Sequence, residues 1–242
     1  MELNTGLSID VRLPESLTTS SLAALASRLE AATASPARVI CLRGASDGVF
    51  CSGLALDSPE PASPPDLRSF AALLARVMNM DRPVLAIVDG ASLGGGVGLA
   101  AACDWVIATE RATFGLPELL WGLLPALIWP VLTERMSPRS ARAWVLTAHA
   151  RPVQEAFAHG LVDEVVPGLP SAQIVRRVRS LARIEPGALV RFRQWTRESR
   201  QLHLDEALSA GARITSDMLT HPVVIERLAA FRRGDAPWES EP

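Results

Sequence analysis

The sequence predicts an α/β protein, with a core of ββα-like units and a helical C-terminal extension. Three observations carry that expectation. Short β-rich runs alternate with segments of helical spacing through the first 170 residues. The strongest run, PVLAIVDG at 83–90, leads into a glycine-rich stretch. From about residue 171 onward the spacing becomes wholly helical and the composition Arg-rich. The expected division is therefore a core over 1–170 and a helical region over 171–242.

Taken in order, LSIDVRL (7–13) alternates apolar and polar residues and reads as a strand. Leu22, Leu25, Ala26 and Leu29 share one helical face within 19–34, which Pro36 ends. ARVICLRG (37–44) reads as a buried strand, and ASDGVFCSGLAL (45–56) as a turn and a short irregular stretch. DSPEPASPPD (57–66) carries four prolines and is expected to be an exposed, mobile loop. Leu67, Phe70, Leu74, Val77 and Met78 restore helical spacing over 66–80.

After the strand at 83–90, the glycine run opens a short helix, and DWVIAT (104–109) reads as another strand. Residues 117–134 are apolar but broken by three prolines, which predicts short helical pieces. SPRSARAWVLTA (137–148) and RPVQEAFAHG (151–160) read as helices and LVDEVVP (161–167) as a strand. Pro186 and Pro222 suit helix starts in the C-terminal region.

Composition excludes several function classes. With 242 residues, 48% hydrophobic, 21% charged and a net charge of −2, the chain offers no electrostatic case for nucleic acid or an anionic membrane. All its basic residues are Arg, and both Lys and Tyr are absent. That excludes a Lys Schiff base, a P-loop Lys and a Tyr general acid. Cys41, Cys51 and Cys103 have no ligand spacing and read as small buried hydrophobes in a reducing compartment. His149, His159, His203 and His221 are equally scattered, so no metal site is expected. The N-terminal residues have no signal-peptide pattern, no run is long enough to span a membrane, and a cytoplasmic location is expected.

The stretch GGGVGLAAACD (94–104) carries the functional question. Gly96, Gly98 and Ala101 satisfy a dinucleotide fingerprint, and Glu118 follows about twenty residues on. That fingerprint needs its glycine turn directly at the end of a strand, however, and Asp89 to Leu93 intervene. Two uses remain for such glycines: tight helix–sheet packing, or letting a ligand approach backbone N–H groups at a helix N-terminus.

GVFCSGLAL, SLGGGVGLAAACDWVIATERATFGLPELLWGLLP and LTAHARPVQEAFAHGLVDEVVP, in this order and spacing, resemble the crotonase (enoyl-CoA hydratase/isomerase) superfamily. The resemblance implies a spiral of ββα units with a C-terminal helical oligomerisation region, and a homotrimer or dimer of trimers. It implies an oxyanion hole for a thioester carbonyl made by the N–H groups of Leu54 and Gly95. Ser52, Gly94, Leu120 and Trp121 would border the substrate, with Leu116 and Leu119 helping to make the site apolar. Arg232 and Arg233 lie where the family often contacts the pantetheine or CoA phosphates, although a solvated helix end is the plainer reading of the pair. Hydratases of this family use two glutamates. Here the first position is Gly98 and the second is Glu118, so the resemblance implies one catalytic carboxylate.

FGLPELLWGLLPALIWPVLTERM is similar to the first of two crotonase-like enzymes in polyketide β-branching cassettes, which also have glycine at the first glutamate position. The implied reaction is dehydration of a 3-hydroxy-3-methylglutaryl group on an acyl carrier protein to a 3-methylglutaconyl thioester, with no cofactor beyond the phosphopantetheine or CoA carrier. A Δ3,Δ2-enoyl thioester isomerase and a non-catalytic acyl-thioester-binding homologue are the alternatives. Two departures stand out. Ala55 occupies a position where the superfamily usually has an acid, and Pro117 one where the subgroup has Ser.

Overall fold

A computed structural model describes residues 6–44, 46–55 and 63–235, which form two compact units meeting in sequence at Ala182 and Arg183. The first unit opens with a strand (β1, Ser8–Arg12) and a helix (α1, Thr19–Ala34). A strand–strand–helix unit follows: β2 (Val39–Arg43), β3 (Gly48–Cys51) and α2 (Pro64–Met78). The next is β4 (Val84–Val88), β5 (Gly90–Leu93) and α3 (Gly95–Ala101). β6 (Trp105–Thr109) and β7 (Thr113–Gly115) then lead to a 3-10 turn at Glu118–Trp121 and to α4 (Trp129–Arg135) and α5 (Pro138–Thr147). β8 (Arg151–Pro152), α6 (Val153–Ala158), β9 (Glu164–Val166) and α7 (Ala172–Leu181) complete this unit.

In each repeat the first strand enters one sheet and the second strand enters another. The larger sheet has the order β1-β2-β4-β6-β9 and is parallel throughout. The smaller has the order β3-β5-β7-β8, with only β8 antiparallel. β2 (VICLR) and β4 (VLAIV) are buried at every residue, as parallel strands covered on both faces must be. Ile40, Leu42, Val84, Ala86 and Val88 face the main core, which also takes Leu22, Leu25 and Leu29 of α1. The alternate residues Val39, Cys41, Leu85 and Ile87 face a second cluster with Ile174, Val178 and Leu181 of α7.

Local chemistry sets the helix starts. The Thr18 hydroxyl accepts the Ser21 N–H at 3.2 Å while the Ser21 hydroxyl accepts the Thr18 N–H at 2.8 Å, a reciprocal cap on α1. Ser63 and Asp66 cap α2, whose first turn contains two prolines. α2 thus begins within the stretch expected to be a loop, and the rest of that stretch, 57–62, lies outside the described residues.

Other differences have equally plain causes. β3, β5, β7 and β8 have no counterpart in the sequence reading, because strands of two to four residues are too short to carry a period-2 signal of their own. α7 falls in the region expected to be separate after residue 170, yet its apolar stripe completes the larger sheet's second face, so the change of unit comes after Ala182. The second unit contains α8 (Pro186–Glu198), α9 (Leu204–Leu219) and α10 (Pro222–Arg232). The expected C-terminal helices are therefore present.

Two charged residues brace the first unit. The Asp89 carboxylate, between β4 and β5, accepts the Thr109 hydroxyl at 2.7 Å and the Arg111 Nε–H at 2.8 Å. This ties together two of the places where the chain crosses between sheets, β4 to β5 and β6 to β7. Arg135, at the end of α4, donates to the Cys103 and Leu161 carbonyls, each at 2.8 Å, and to the Asp163 carboxylate. Burial pushes the Asp163 carboxyl up and the Arg135 charge opposes that push. Removing Arg135 leaves a largely buried carboxylate and two carbonyls without this donor. Arg135→Met should therefore cost about 3–5 kcal/mol in chemical denaturation, and a loss below about 1 kcal/mol, as for an exposed pair, would contradict this role.

Candidate active site

Three neighbouring parallel strands of the smaller sheet end side by side. β5 pairs with β3 on one side and β7 on the other, with Ser92 opposite Cys51 and Leu93 opposite Gly115. The segments that leave these ends, Ser52 to Leu54, Gly94 to Gly95 and Leu116 to Glu118, therefore converge. In α/β sheets the space beyond the carboxyl ends of parallel strands is where ligands sit. The Gly94 N–H donates to the Gly115 carbonyl at 2.9 Å, locking the start of α3 beside the turn that carries Glu118.

The close approach of these segments depends on glycine. Gly53 has φ +81°, and a Cβ there would stand 2.8 Å from both the Gly95 nitrogen and the Leu93 oxygen. The Gly53–Leu54 turn is thereby held against the start of α3. On its far side, the Leu17 N–H donates to the Gly53 carbonyl and the Ala55 N–H donates to the Leu17 carbonyl, each bond flanking Leu54. This parallel bridge leaves the Leu54 N–H on the opposite side from Leu17. Gly95 lies in the first turn of α3, where N–H groups lack intrahelical acceptors. The two candidate donors are thus brought together.

The Glu118 carboxyl lies over this junction. A Cβ on Gly94 would be 3.0 Å from Glu118 Oε1 and 3.7 Å from its Cδ. Glu118 Oε2 is buried and has no hydrogen-bond partner. Burial raises the Glu118 carboxyl above its ordinary value, opposed only in part by its own backbone N–H. A carboxylate that favours its proton, beside backbone donors, is equipped to move a proton while those donors receive developing negative charge.

The other predicted residues separate into groups. Leu116 is buried and Leu119 packs against the core, but Leu120 and Trp121 are 74% and 72% exposed in the chain. These two lie at the end of the 3-10 turn that begins at Glu118, which directs them away from the core. The Ser52 hydroxyl and N–H both donate to the Glu15 carbonyl at 2.7 Å, which anchors the end of β3. Arg232 and Arg233 end α10 in the second unit, where Arg233 pairs with Asp235 at 3.2 Å.

Gly98, one helical turn after Gly94, faces Ile128. Phe70 and Leu17 pack on Gly95. These apolar neighbours escaped sequence reasoning, since helical spacing marks them as core without saying what they touch. Burial pushes the Cys51 thiol up to about 11 and the Cys41 thiol up to about 12, which disqualifies both as nucleophiles near neutral pH. Among the described residues no cluster of His, Cys, Asp or Glu forms a metal site, and no helix is long and apolar enough to cross a membrane. A cavity of about 860 Å³ opens at the carboxyl ends of the larger sheet, but Arg43, Arg111, Asp47 and Asp89 around it are engaged in ion pairs.

Residues 8–241 match the family described as Enoyl-CoA hydratase/isomerase. The chain belongs to that family. Carnitinyl-CoA dehydratase from Escherichia coli O157:H7 is 29% identical over 193 residues, covering 76% of this chain and 71% of that protein. The crystal structure of Pseudomonas aeruginosa AtuE is 28% identical with a TM-score of 0.84, covering 97% of this chain and 96% of that one. An enoyl-CoA hydratase structure from Shewanella pealeana superposes with a TM-score of 0.86 at 21% identity, covering 96% and 92% of the two chains, a likeness of fold alone.

The Glu118 environment has a stability signature. Raising a carboxyl's pKa in the folded state means that ionising it costs folding free energy. Wild type should lose stability relative to Glu118→Gln as pH rises above the ordinary value of 4.5, until the raised value is passed. Thermal denaturation of both proteins from about pH 4 to about pH 8 reads this. A constant difference across that range would contradict an unpartnered buried carboxyl.

Proposed function

We propose that the chain dehydrates a 3-hydroxy-3-methylglutaryl thioester carried on an acyl carrier protein, releasing 3-methylglutaconyl thioester and water. The observation that carries this is the Glu118 carboxyl over Gly94, with one buried oxygen unpartnered. In this mechanism Glu118 takes the C2 proton and the electron pair moves into the thioester, placing negative charge on its oxygen. The Leu54 and Gly95 N–H groups stabilise that enolate, each worth about 2.7–4 kcal/mol of barrier. The enolate then expels the C3 hydroxyl, which leaves as water with the proton from Glu118. The reaction needs no redox partner and no cofactor beyond the thioester carrier.

Gly98 supports a single-carboxylate chemistry, and the name carnitinyl-CoA dehydratase borne by relatives supports elimination of water. The FGLPELLWGLLPA stretch supports the β-branching substrate, and Ala55 in place of an acid supports a carrier protein over free CoA. In the same proposal the chain works as a homotrimer or dimer of trimers. α9 and α10, which bury no residue in the chain, expose Leu204, Leu208, Leu219, Ile225 and Phe231 for such contacts. Leu120 and Trp121 then border the substrate only where a second chain or the carrier covers them.

A second reading is favoured by the same lone carboxylate: proton transfer from C2 to C4 of a 3-enoyl thioester, as in a Δ3,Δ2-isomerase. Intact-mass measurement of a 3-hydroxy-3-methylglutaryl carrier protein separates the two. Loss of one water supports the dehydratase. An unchanged mass, with double-bond migration in a 3-enoyl thioester, supports the isomerase. Either turnover should fall by on the order of 10²–10⁴ in a folded Glu118→Gln variant. Full activity in that variant would overturn the mechanism.

A further inference from the structure

Ile128 stands where a side chain at position 98 would have to go. A Cβ on Gly98 would meet Ile128 Cγ2 at 2.4 Å and Ile128 Cβ at 3.2 Å. Ile128 is 3% exposed, and its β-branch is stiff, so it has little freedom to swing aside. Its backbone is equally constrained. The Ile128 N–H donates to the Pro125 carbonyl at 3.2 Å, the Ile128 carbonyl accepts the Leu132 N–H at 2.8 Å, and Pro130 follows in the first turn of α4. Leu74 of α2 approaches the same point at 3.8 Å.

The position matters because of what lies one turn away. The Gly98 N–H donates to the Gly94 carbonyl at 3.1 Å, so Gly98 lies one helical turn after Gly94, the residue that caps α3. Gly94 faces the Glu118 carboxyl and Gly98 faces Ile128, about 5.4 Å further along. The branched apolar side chain therefore fills the space into which a carboxylate side chain at position 98 would extend, one turn along α3 from the residue that faces Glu118.

We propose that Ile128 is a specificity-determining residue that excludes a second carboxylate, and the water such a carboxylate would hold, from the site. This rests on the reading of Glu118 as the proton-transfer group. The Gly98–Ile128 contact makes the absence of the second acid a packed feature of the core, and restoring the acid requires changing both residues.

Gly98→Glu, Ile128→Ala and the double variant test this, with hydration of a simple 2-enoyl-CoA as the activity read. Gly98→Glu alone should lower Tm by roughly 3–10 °C and add no hydration. Gly98→Glu/Ile128→Ala should hydrate the probe about tenfold faster than wild type or more. Gly98→Ala, a smaller change, should lower Tm in wild type and do so less in the Ile128→Ala background. Equal Tm losses from Gly98→Ala in both backgrounds, or equal hydration by Gly98→Glu with and without Ile128→Ala, would overturn the proposal. Adding Glu118→Gln to the opened variant distinguishes the two readings. Hydration that survives it counts against Glu118 and leaves the Ile128 result standing on the Tm comparison.

Discussion

The site depends on one constraint, the partial burial of the Glu118 carboxyl against the start of α3, and the surrounding structure holds the carboxyl there. Its turn follows β7, whose register with β5 is fixed by parallel pairing, and the Gly94 N–H bond to the Gly115 carbonyl closes the remaining gap. The packing of Leu116 and Leu119 then sets the turn against the core. A carboxyl held partly away from water binds its proton more tightly, which suits it to proton transfer.

The glycines are the counterpart of that constraint. Gly53 lets one loop touch the Leu93–Gly95 segment, and Gly94 lets the Glu118 carboxyl approach the backbone. Gly96 does the same for packing, since a Cβ there would stand 2.0 Å from the Cys51 carbonyl oxygen. A side chain at Gly53 or Gly96 would force apart the end of β3 and the start of α3, and one at Gly94 would displace the Glu118 carboxyl. Donors and carboxyl would then no longer face a common point, and the close geometry that proton transfer to or from a thioester requires would be lost.

Much of this was legible in residue types, and the rest depended on pairing across the chain. β2, β4 and β6 announce themselves as continuous apolar runs, and α1 by the spacing of Leu22, Leu25 and Leu29. β3, β5 and β7, which build the site, are too short and glycine-rich to show a period, because their strand character comes only from their neighbours. Glu118 and Gly98 could be singled out from motif spacing. Ile128 could not, since only the turn after Pro125 returns it to α3.

The central claim is that Glu118 alone moves a proton at C2 of a thioester. Exchange in D₂O with a 3-methylglutaryl thioester, which lacks the 3-hydroxyl, isolates that step from any leaving group. Mass analysis should show deuterium entering at C2 with wild type and only background uptake with Glu118→Gln. Uptake at the same rate in both proteins, or none with wild type, would contradict the account.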